Sequence, residues 1–273
     1  MNAWKSVLLA SSTLCVALSV SAADLQVIAG AGIAAPLKEI VAQFEKTTGH
    51  KLVIRYGTTP ELIKMATGGP FDLAVVPVDV MRNDAARARF AAGATPEVAR
   101  VGIGVAVRAG APKPDISTPE ALKRTLLNAK SIAHPDPKGG GFTGAHIDRM
   151  FERLGIADTV RPKVRLGFAF AGGVDSVAKG EVELGLFNIS EIVPAKGVTL
   201  VGPLPDEHQN YLVFAGALHA RGASPGPAAA YLRALIEPGA DAAWIAGGME
   251  ALGDPVLTGT VPNRAGNRDR PAQ

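Results

Sequence analysis

Cysteine is almost missing from this 273-residue sequence, because its one cysteine is Cys15, close to the amino terminus. The rest of the chain therefore has no disulfide, no thiolate catalysis and no cysteine-based metal site. Aromatic residues are also few, at 5%, and the formal net charge is only +3, without a run of basic residues. We expect no nucleic-acid partner, since such a partner requires clustered positive charge.

Common catalytic and metal-binding motifs are absent as well. Neither Ser176 nor Ser190 lies in a Gly-x-Ser-x-Gly sequence, so a hydrolase nucleophile elbow is not indicated. No pair of His, Asp or Glu has i, i+4 ligand spacing with an evident third partner. The sequence therefore predicts neither a metal nor a cofactor.

One long apolar run is present, at the amino terminus, where Lys5 precedes the residues Val7–Val20. Small residues follow at 21–23, and this pattern is typical of a secretory signal peptide. We therefore predict a cleavable leader over residues 1–23 and a periplasmic location. No later segment reaches the roughly 18 consecutive apolar residues expected of a spanning helix.

Apolar runs then alternate with helical patterns. Strands are predicted at Leu25–Ile28, Lys51–Tyr56 and Phe71–Val76, separated by amphipathic helices, and this βαβαβ order predicts a parallel sheet. A proline-rich stretch at 109–119 leads into a second βα series, and a last strand and two helices begin near Asn210. Such an order indicates two lobes, each built partly from distant segments, with a cleft between them.

We therefore predict an α/β fold with two lobes, each a mixed, mostly parallel sheet flanked by helices, and a cleft at the hinge. The first lobe is expected to contain residues 24–107 and 210–258, and the second residues 108–209. Residues 259–273 form a polar tail that we expect to be loosely held.

Glycines mark three of the predicted strand-to-helix junctions, at 29–32, 57–59 and 139–143. The third, HPDPKGGGFTGAH, matches a dinucleotide pattern, but no acidic residue follows about 20 positions later to hold a ribose. It is not a P-loop either, because Ala-His follows Gly144. Bare amides at helix starts favour a small anion instead, and ligands of α/β sheets bind at these strand ends.

The candidate ligand-binding residues share these junctions or the end of the strand Leu184–Phe187. They are Ala31, Gly32, Thr58, Thr59, Gly140, Gly141, Phe142, Thr143, Gly144 and Asn188. Alternative roles remain open for them, since the threonines also fit helix N-caps and the glycines and Asn188 also fit plain turns. His146, in the first turn of a helix, is a candidate acid–base residue, although such a histidine is more often a cap or a surface residue.

Several segments together resemble periplasmic solute-binding proteins of ABC importers, in the branch that contains the molybdate-binding proteins. They include VIAGAGIAAPLKEIVAQFEKTTGHKL, RYGTTPELIKMATGGPFDLAVVP and VAKGEVELGLFNISEI. The resemblance implies the type II periplasmic binding fold, which closes on its ligand by hinge motion. It also implies ligand contacts at Gly32, Thr59, Phe142 to Gly144, Gly172 and Asn188.

This chain departs from that branch at two of these positions. Molybdate binders have a serine where this chain has Gly32, and usually a tyrosine where it has Asn188. Losing such donors to a tetrahedral dianion costs on the order of 1–3 kcal/mol each. Molybdate is therefore a poor fit, and the glycine-lined cleft leaves room for a small carboxylate.

Two functions follow from the resemblance. The first is a monomeric receptor that captures a small anion and passes it to a membrane permease; Arg55, Arg165 or Lys138 would favour a carboxylate by turning into the cleft. The second is an isomerase of an unsaturated tricarboxylate, because the branch also includes a periplasmic aconitate isomerase; His146 and Thr143 would then serve it. A nucleotide-dependent enzyme ranks last.

Overall fold

A computed structural model describes residues 22–93, 95–139, 142–167 and 173–253. Within these ranges the strands form two separate sheets, and helices pack on both faces of each. The predicted two-lobed α/β fold is therefore confirmed. Residues 1–21 of the predicted leader and the whole predicted tail lie outside the described ranges.

The first sheet has six strands, of which the parallel ones come from the amino-terminal βα units. In chain order they are β1 (Asp24–Gly30), β2 (Lys51–Gly57), β3 (Leu73–Pro77), β4 (Glu97–Val101), β10 (Leu212–Leu218) and β11 (Glu250–Ala251). Their order across the sheet is β11-β4-β10-β3-β1-β2. β1 pairs in parallel with both β2 and β3, whereas β10 runs antiparallel to β3 and β4.

The second sheet has five strands and is mixed in the same way. Its members are β5 (Ile103–Arg108), β6 (Ile132–His134), β7 (Val164–Leu166), β8 (Leu184–Asn188) and β9 (Val198–Pro203), in the order β7-β6-β8-β5-β9. β6 is parallel to β7 and β8, and β5 is antiparallel to β8 and β9. In each sheet, a strand arriving from the other lobe is antiparallel to its neighbours.

Helices cover both faces of the first sheet. They are α1 (Ala34–Thr48), α2 (Thr59–Gly68), α3 (Val78–Arg82), α4 (Asp84–Arg87), α10 (Pro225–Ala234) and α11 (Pro238–Ala246). One core joins α1, α10 and α11 through Leu37, Tyr231 and Trp244, and the other joins α2 and α3 through Leu62 and Val80. Burial of these apolar side chains is the main force that holds each layer in place.

The second sheet is covered in the same way by shorter helices. These are α5 (Pro119–Asn128), α6 (Phe142–Arg153), α7 (Ala157–Val160), α8 (Val174–Ala178) and α9 (Ile189–Ile192). Leu122 and Ile147 anchor α5 and α6 on one face, and Val177 and Ile192 anchor α8 and α9 on the other. In the part of the chain that the structure describes, no helix is long and apolar enough to cross a membrane.

The chain crosses between the sheets at Gly102 and again between β9 and β10. Gln209 joins the two crossings, because its side chain accepts from the Ile103 amide at 2.8 Å and donates to the Ile103 carbonyl at 2.9 Å. The lobe boundary predicted between residues 107 and 108 is wrong, because β5 pairs in the second sheet. The boundary lies at Gly102. The apolar run at 101–107 is in fact two strands divided by Gly102, and the later prolines are not the crossing.

Candidate functional site

A cleft lies where strand ends from the two sheets face each other. Its empty space is about 640 Å³ when the solvent in its open mouth is counted. The first sheet and its helices contribute Gly30, Ala31, Gly32, Gly57, Thr58, Thr59, Pro77, Leu212 and Phe214. The second contributes Pro135, Asp136, Gly139, Phe142, Thr143, Asn188 and Glu191. The three glycine junctions singled out in the sequence thus line the same hollow.

Three helix starts meet at this cleft. A 3-10 turn at Ala31–Ile33 leads into α1, Thr59 is the first residue of α2, and Phe142 is the first residue of α6. Each helix start carries roughly half a positive charge together with amide groups that lack intrahelical partners. The arrangement can therefore attract negative charge without a cationic side chain.

The two threonines at the start of α2 have different environments. The Thr58 amide and hydroxyl both donate to Glu61 Oε2, at 2.7 and 2.9 Å, and the amide bond is the larger reason that the pKa of Glu61 is lowered. Thr58 is thus occupied as the N-cap, which was the alternative left open by the sequence. Among the described residues, the Thr59 hydroxyl has no hydrogen-bond partner, so it is free to contact a ligand.

A chain of polar side chains crosses the second-sheet side of the cleft. The Thr143 hydroxyl donates to Asn188 Oδ1 at 2.8 Å, and Asn188 Nδ2 donates to Glu191 Oε1 at 3.2 Å. Glu191 Oε2 is shielded from water and has no partner among the described residues, although the residue as a whole is only partly buried. Burial raises the pKa of Glu191 to about 7, against the opposing effect of the Asn188 hydrogen bonds.

Cationic side chains are absent from the described lining of the cleft, which holds the two carboxyl groups of Asp136 and Glu191. Arg55, Arg165 and Lys138, whose orientation the sequence left open, are all exposed and lie outside that lining. The Arg55 guanidinium donates instead to the Pro70 carbonyl at 3.0 Å. The described lining therefore offers an anion uncharged donors, namely backbone amides, hydroxyls and, when it is protonated, the Glu191 carboxyl.

Gly144 has a packing role rather than a place in the described lining. A Cβ at this position would clash with the Pro135 carbonyl oxygen and lie 2.9 Å from the Pro137 nitrogen. The glycine therefore lets α6 approach the loop after β6 closely enough to place Thr143 in the cleft. The candidates Gly140, Gly141 and Gly172 lie outside the described residues.

His146 is 5% exposed and is not among the described lining residues. Its Nε2 lies 2.7 Å from the His208 carbonyl oxygen, and its Nδ1 lies 3.2 Å from Asn210 Nδ2. These contacts fit a neutral ring that donates from Nε2 and accepts at Nδ1, and burial lowers its pKa. The ring therefore ties α6 to the segment that returns to the first sheet, in place of the acid–base role considered from the sequence.

Replacing His146 with alanine should destabilise the protein by about 2–3 kcal/mol, because the His208 carbonyl and the Asn210 amide lose a partner. Urea unfolding measures this change. His208→Ala is the matched control, since it retains the carbonyl that accepts from His146, and we expect a smaller loss. Equal stability of His146→Ala and the native protein would contradict the structural role.

The family model for bacterial extracellular solute-binding proteins matches residues 25–250 of this chain. The chain belongs to this family. Relatives include an aconitate isomerase from Pseudomonas sp., 33% identical over 84% of this chain and 87% of its own length. The molybdate-binding protein ModA of Azotobacter vinelandii is 28% identical over 64% of this chain and 69% of its own length. The predicted resemblance to the molybdate-binding branch is thus confirmed.

Solved structures of solute-binding proteins have the same fold as this family member. The periplasmic molybdate-binding protein of Azotobacter vinelandii superposes with a TM-score of 0.66 at 19% identity, covering 82% of this chain and 98% of that one. The substrate-binding domain of a molybdenum transporter from Clostridium difficile gives 0.69 at 14% identity, covering 84% and 99%. At these identities the similarity establishes the fold, and ligand specificity has to come from the cleft itself.

Gly32 faces the cleft of this solute-binding protein. A Cβ at Gly32 would lie 3.7 Å from Phe214 Cζ and 3.8 Å from both Asn188 Nδ2 and Glu191 Oε1, which is ordinary van der Waals contact. A side chain there would therefore fit without strain and would reduce the space in front of Glu191. The Gly32 carbonyl also accepts from the Ser190 hydroxyl at 2.6 Å, a contact that joins the two lobes.

Glu191 is the cleft residue that the sequence interpretation missed. It lies three residues after Asn188, on the short helix α9 that follows β8 directly. Residues three apart on a helix are neighbours, so the spacing in Asn-Ile-Ser-Glu could have placed this carboxyl beside the predicted Asn188 site. Phe214 and Pro77 were missed too, because their place in the lining depends on how β10 pairs with β3.

Proposed function

We propose that this solute-binding protein is exported to the periplasm, captures a small carboxylate between its two lobes and delivers it to an ABC permease. It acts as a monomer, and no cofactor takes part. The proposal rests on one cleft at which the starts of α1, α2 and α6 meet. Helix starts bind small anions, and hinge closure of two lobes encloses the bound ligand.

The lining favours a carboxylate over a tetrahedral oxyanion. Thr59 offers a free hydroxyl, but Gly32 has none, and the Asn188 amide is already shared with Thr143 and Glu191. A compact dianion would therefore have Thr59 as its one free side-chain hydroxyl in the described lining and would lie near the Glu191 carboxyl. A larger, flexible carboxylate fills the space that Gly32 leaves and can accept a hydrogen bond from protonated Glu191.

Thermal unfolding with a panel of anions tests the proposed ligand class. A ligand at 100 times its Kd stabilises the folded state by about 2.7 kcal/mol. For a chain of this size, that raises Tm by about 5–10 °C. We expect this shift from at least one member of a set containing succinate, citrate, cis-aconitate and trans-aconitate, and a smaller shift from molybdate or sulfate.

Gly32→Leu is the control for binding in this cleft. Its Cβ makes only ordinary contacts, so the unliganded Tm should stay near the native value, while the rest of the side chain fills the cleft and removes the ligand-induced shift. A larger shift with molybdate than with every carboxylate would contradict the ligand class. No shift with any anion would contradict the proposed function as a whole.

A second candidate function is the isomerisation of a small unsaturated tricarboxylate on the same fold. Two observations favour it, namely the 33% identity to an aconitate isomerase and the carboxyl of Glu191 in the cleft. Incubating the purified protein with trans-aconitate and following cis-aconitate by chromatography tests it. Product in excess of protein supports the enzyme, whereas binding without product supports the receptor.

A further inference from the structure

We propose that Glu191 is the catalytic acid–base residue of this cleft, and that it moves a proton between two carbons of an unsaturated di- or tricarboxylate. The proposal rests on the second candidate function, the isomerase, and adds the residue and the step. The substrate needs a methylene group next to a carbon–carbon double bond, with a carboxylate attached to the allylic unit.

The position of Glu191 suits this role better than that of any other titratable group in the described lining. The other such group is Asp136, whose Oδ1 accepts from the Lys138 amide at 2.8 Å and thereby holds a local turn. Glu191 has no ion-pair partner among the described residues, and its Oε2 has no hydrogen-bond partner there. His146, the candidate from sequence, has both ring nitrogens engaged outside the lining.

The hydrogen-bond chain from Thr143 orients the carboxyl. Thr143 donates to Asn188, which fixes the Asn188 amide so that its nitrogen points to Glu191 Oε1. Oε1 is thereby held in place, and it faces the gap, 3.8 Å from a Cβ built at Gly32, whereas Oε2 is shielded from water. Oε1 has a second lone pair and is therefore the oxygen that can exchange a proton with a substrate. Gly32 lies across the gap and has no side chain to cover the carboxyl.

The step balances without any co-reactant. Ionised Glu191 takes a proton from the methylene carbon, so that a C–H bond breaks and an O–H bond forms. The electron pair spreads over the three allylic carbons and the attached carboxylate. Glu191 then returns the proton to the far allylic carbon, and the double bond has moved by one position. Amides at the three helix starts stabilise the negative charge that develops on the carboxylates.

The pKa of Glu191 also suits a group that exchanges a proton with a carbon atom. A pKa of about 7 leaves both forms populated near neutral pH, and a base works best when its pKa lies near the working pH. Asn188 and the Gly32 backbone lie next to the Glu191 carboxyl and are uncharged, and Asp136 is the other carboxyl in the described lining. The bound substrate therefore becomes the main charge that Glu191 experiences.

Proton NMR in deuterium oxide, with cis- and trans-aconitate as the probes, tests the proposal. The native protein should interconvert the two isomers and replace their allylic hydrogens with deuterium. Glu191→Gln should slow both processes by about 10²–10⁴-fold, while calorimetry shows trans-aconitate binding within about tenfold of the native protein. Glu181→Gln, an exposed glutamate outside the lining, is the matched control and should behave as the native protein.

The possible outcomes separate the proposal from the function on which it rests. If the native protein turns over aconitate and Glu191→Gln does so at the same rate, the isomerase stands and the role of Glu191 is wrong. If the native protein binds aconitate without exchange or turnover, the isomerase and the role of Glu191 are both overturned, and the receptor remains. Loss of turnover in a Glu191→Gln variant whose melting temperature is no lower than the native value supports the proposal, and partial recovery in Glu191→Asp strengthens it.

Discussion

Gly144→Ala is expected to lower the free energy of unfolding by about 3 kcal/mol and to abolish ligand binding. The added methyl group meets the Pro135 carbonyl oxygen and the Pro137 nitrogen, which are backbone atoms that cannot rotate away as a side chain can. Overpacking of this kind typically costs about 1–3 kcal/mol, and rigid surroundings place it at the upper end. Because Gly144 is in the first turn of α6, relief of the clash moves Thr143 out of the cleft.

Gly239→Ala is the matched control for this substitution. Gly239 is also in the first turn of a helix, α11, but a Cβ there has no atom within 4 Å apart from its chain neighbours, and no proline follows it. Alanine favours helix over glycine by up to about 1 kcal/mol, so this variant should be as stable as the native protein or slightly more stable. Urea unfolding of both variants gives the comparison, and equal midpoints would show that α6 does not depend on the close approach at Gly144.

Much of the fold could be predicted because its elements repeat a local pattern. The apolar runs at Leu25–Ile28 and Leu184–Phe187 lie within strands, since a strand buried on both faces reads as a short continuous apolar segment. Lys51–Tyr56 also lies within a strand, β2, which is at the edge of its sheet and is exposed or partly exposed over these residues. Pro119 and Pro225 each stand at the first position of a helix, where proline is well accommodated. These signals depend only on neighbouring residues.

The crossing between the lobes could not be located in the same way. Val101 and Ile103 belong to one apolar run, and nothing local says that the strand on either side of Gly102 pairs with a different sheet. The structure shows the reason for the break. A Cβ at Gly102 would lie 2.9 Å from Gln209 Nε2, so the glycine allows the two crossing segments to approach each other. That contact joins residues more than 100 positions apart.

Some residues of the candidate site could likewise be predicted from local sequence, and others could not. Gly32, Thr59 and Thr143 were predicted from junction chemistry, and strand ends of α/β sheets place such residues together. Glu191 was missed although it lies only three residues from the predicted Asn188, to which it is hydrogen-bonded. The environment of His146 depends instead on side-chain hydrogen bonds over long distances in sequence. His146 contacts the segment at 208–210, and no pattern near it in the sequence indicates that partner.

Glu191→Gln is expected to stabilise the protein at alkaline pH. The carboxyl has a folded-state pKa of about 7 against an ordinary value of 4.5, so the folded state binds more protons than the unfolded state between these values. The free energy of unfolding therefore falls as the pH rises through this window, and the full loss is present above pH 7. It amounts to roughly 2–3 kcal/mol after allowance for partial exposure. Glutamine stays neutral and avoids that loss.

The measurement is the stability difference between Glu191→Gln and the native protein, by urea unfolding at pH 4.5 and pH 8.5. Other titrating groups contribute equally to both proteins, so the difference should grow by roughly 2–3 kcal/mol at the higher pH. Glu181→Gln should show no such growth, and a flat difference for Glu191→Gln would mean that the native carboxyl is not held in an unfavourable site. A variant that is more stable above pH 7 but unable to exchange substrate protons would be the pattern of a functional residue retained at the expense of stability.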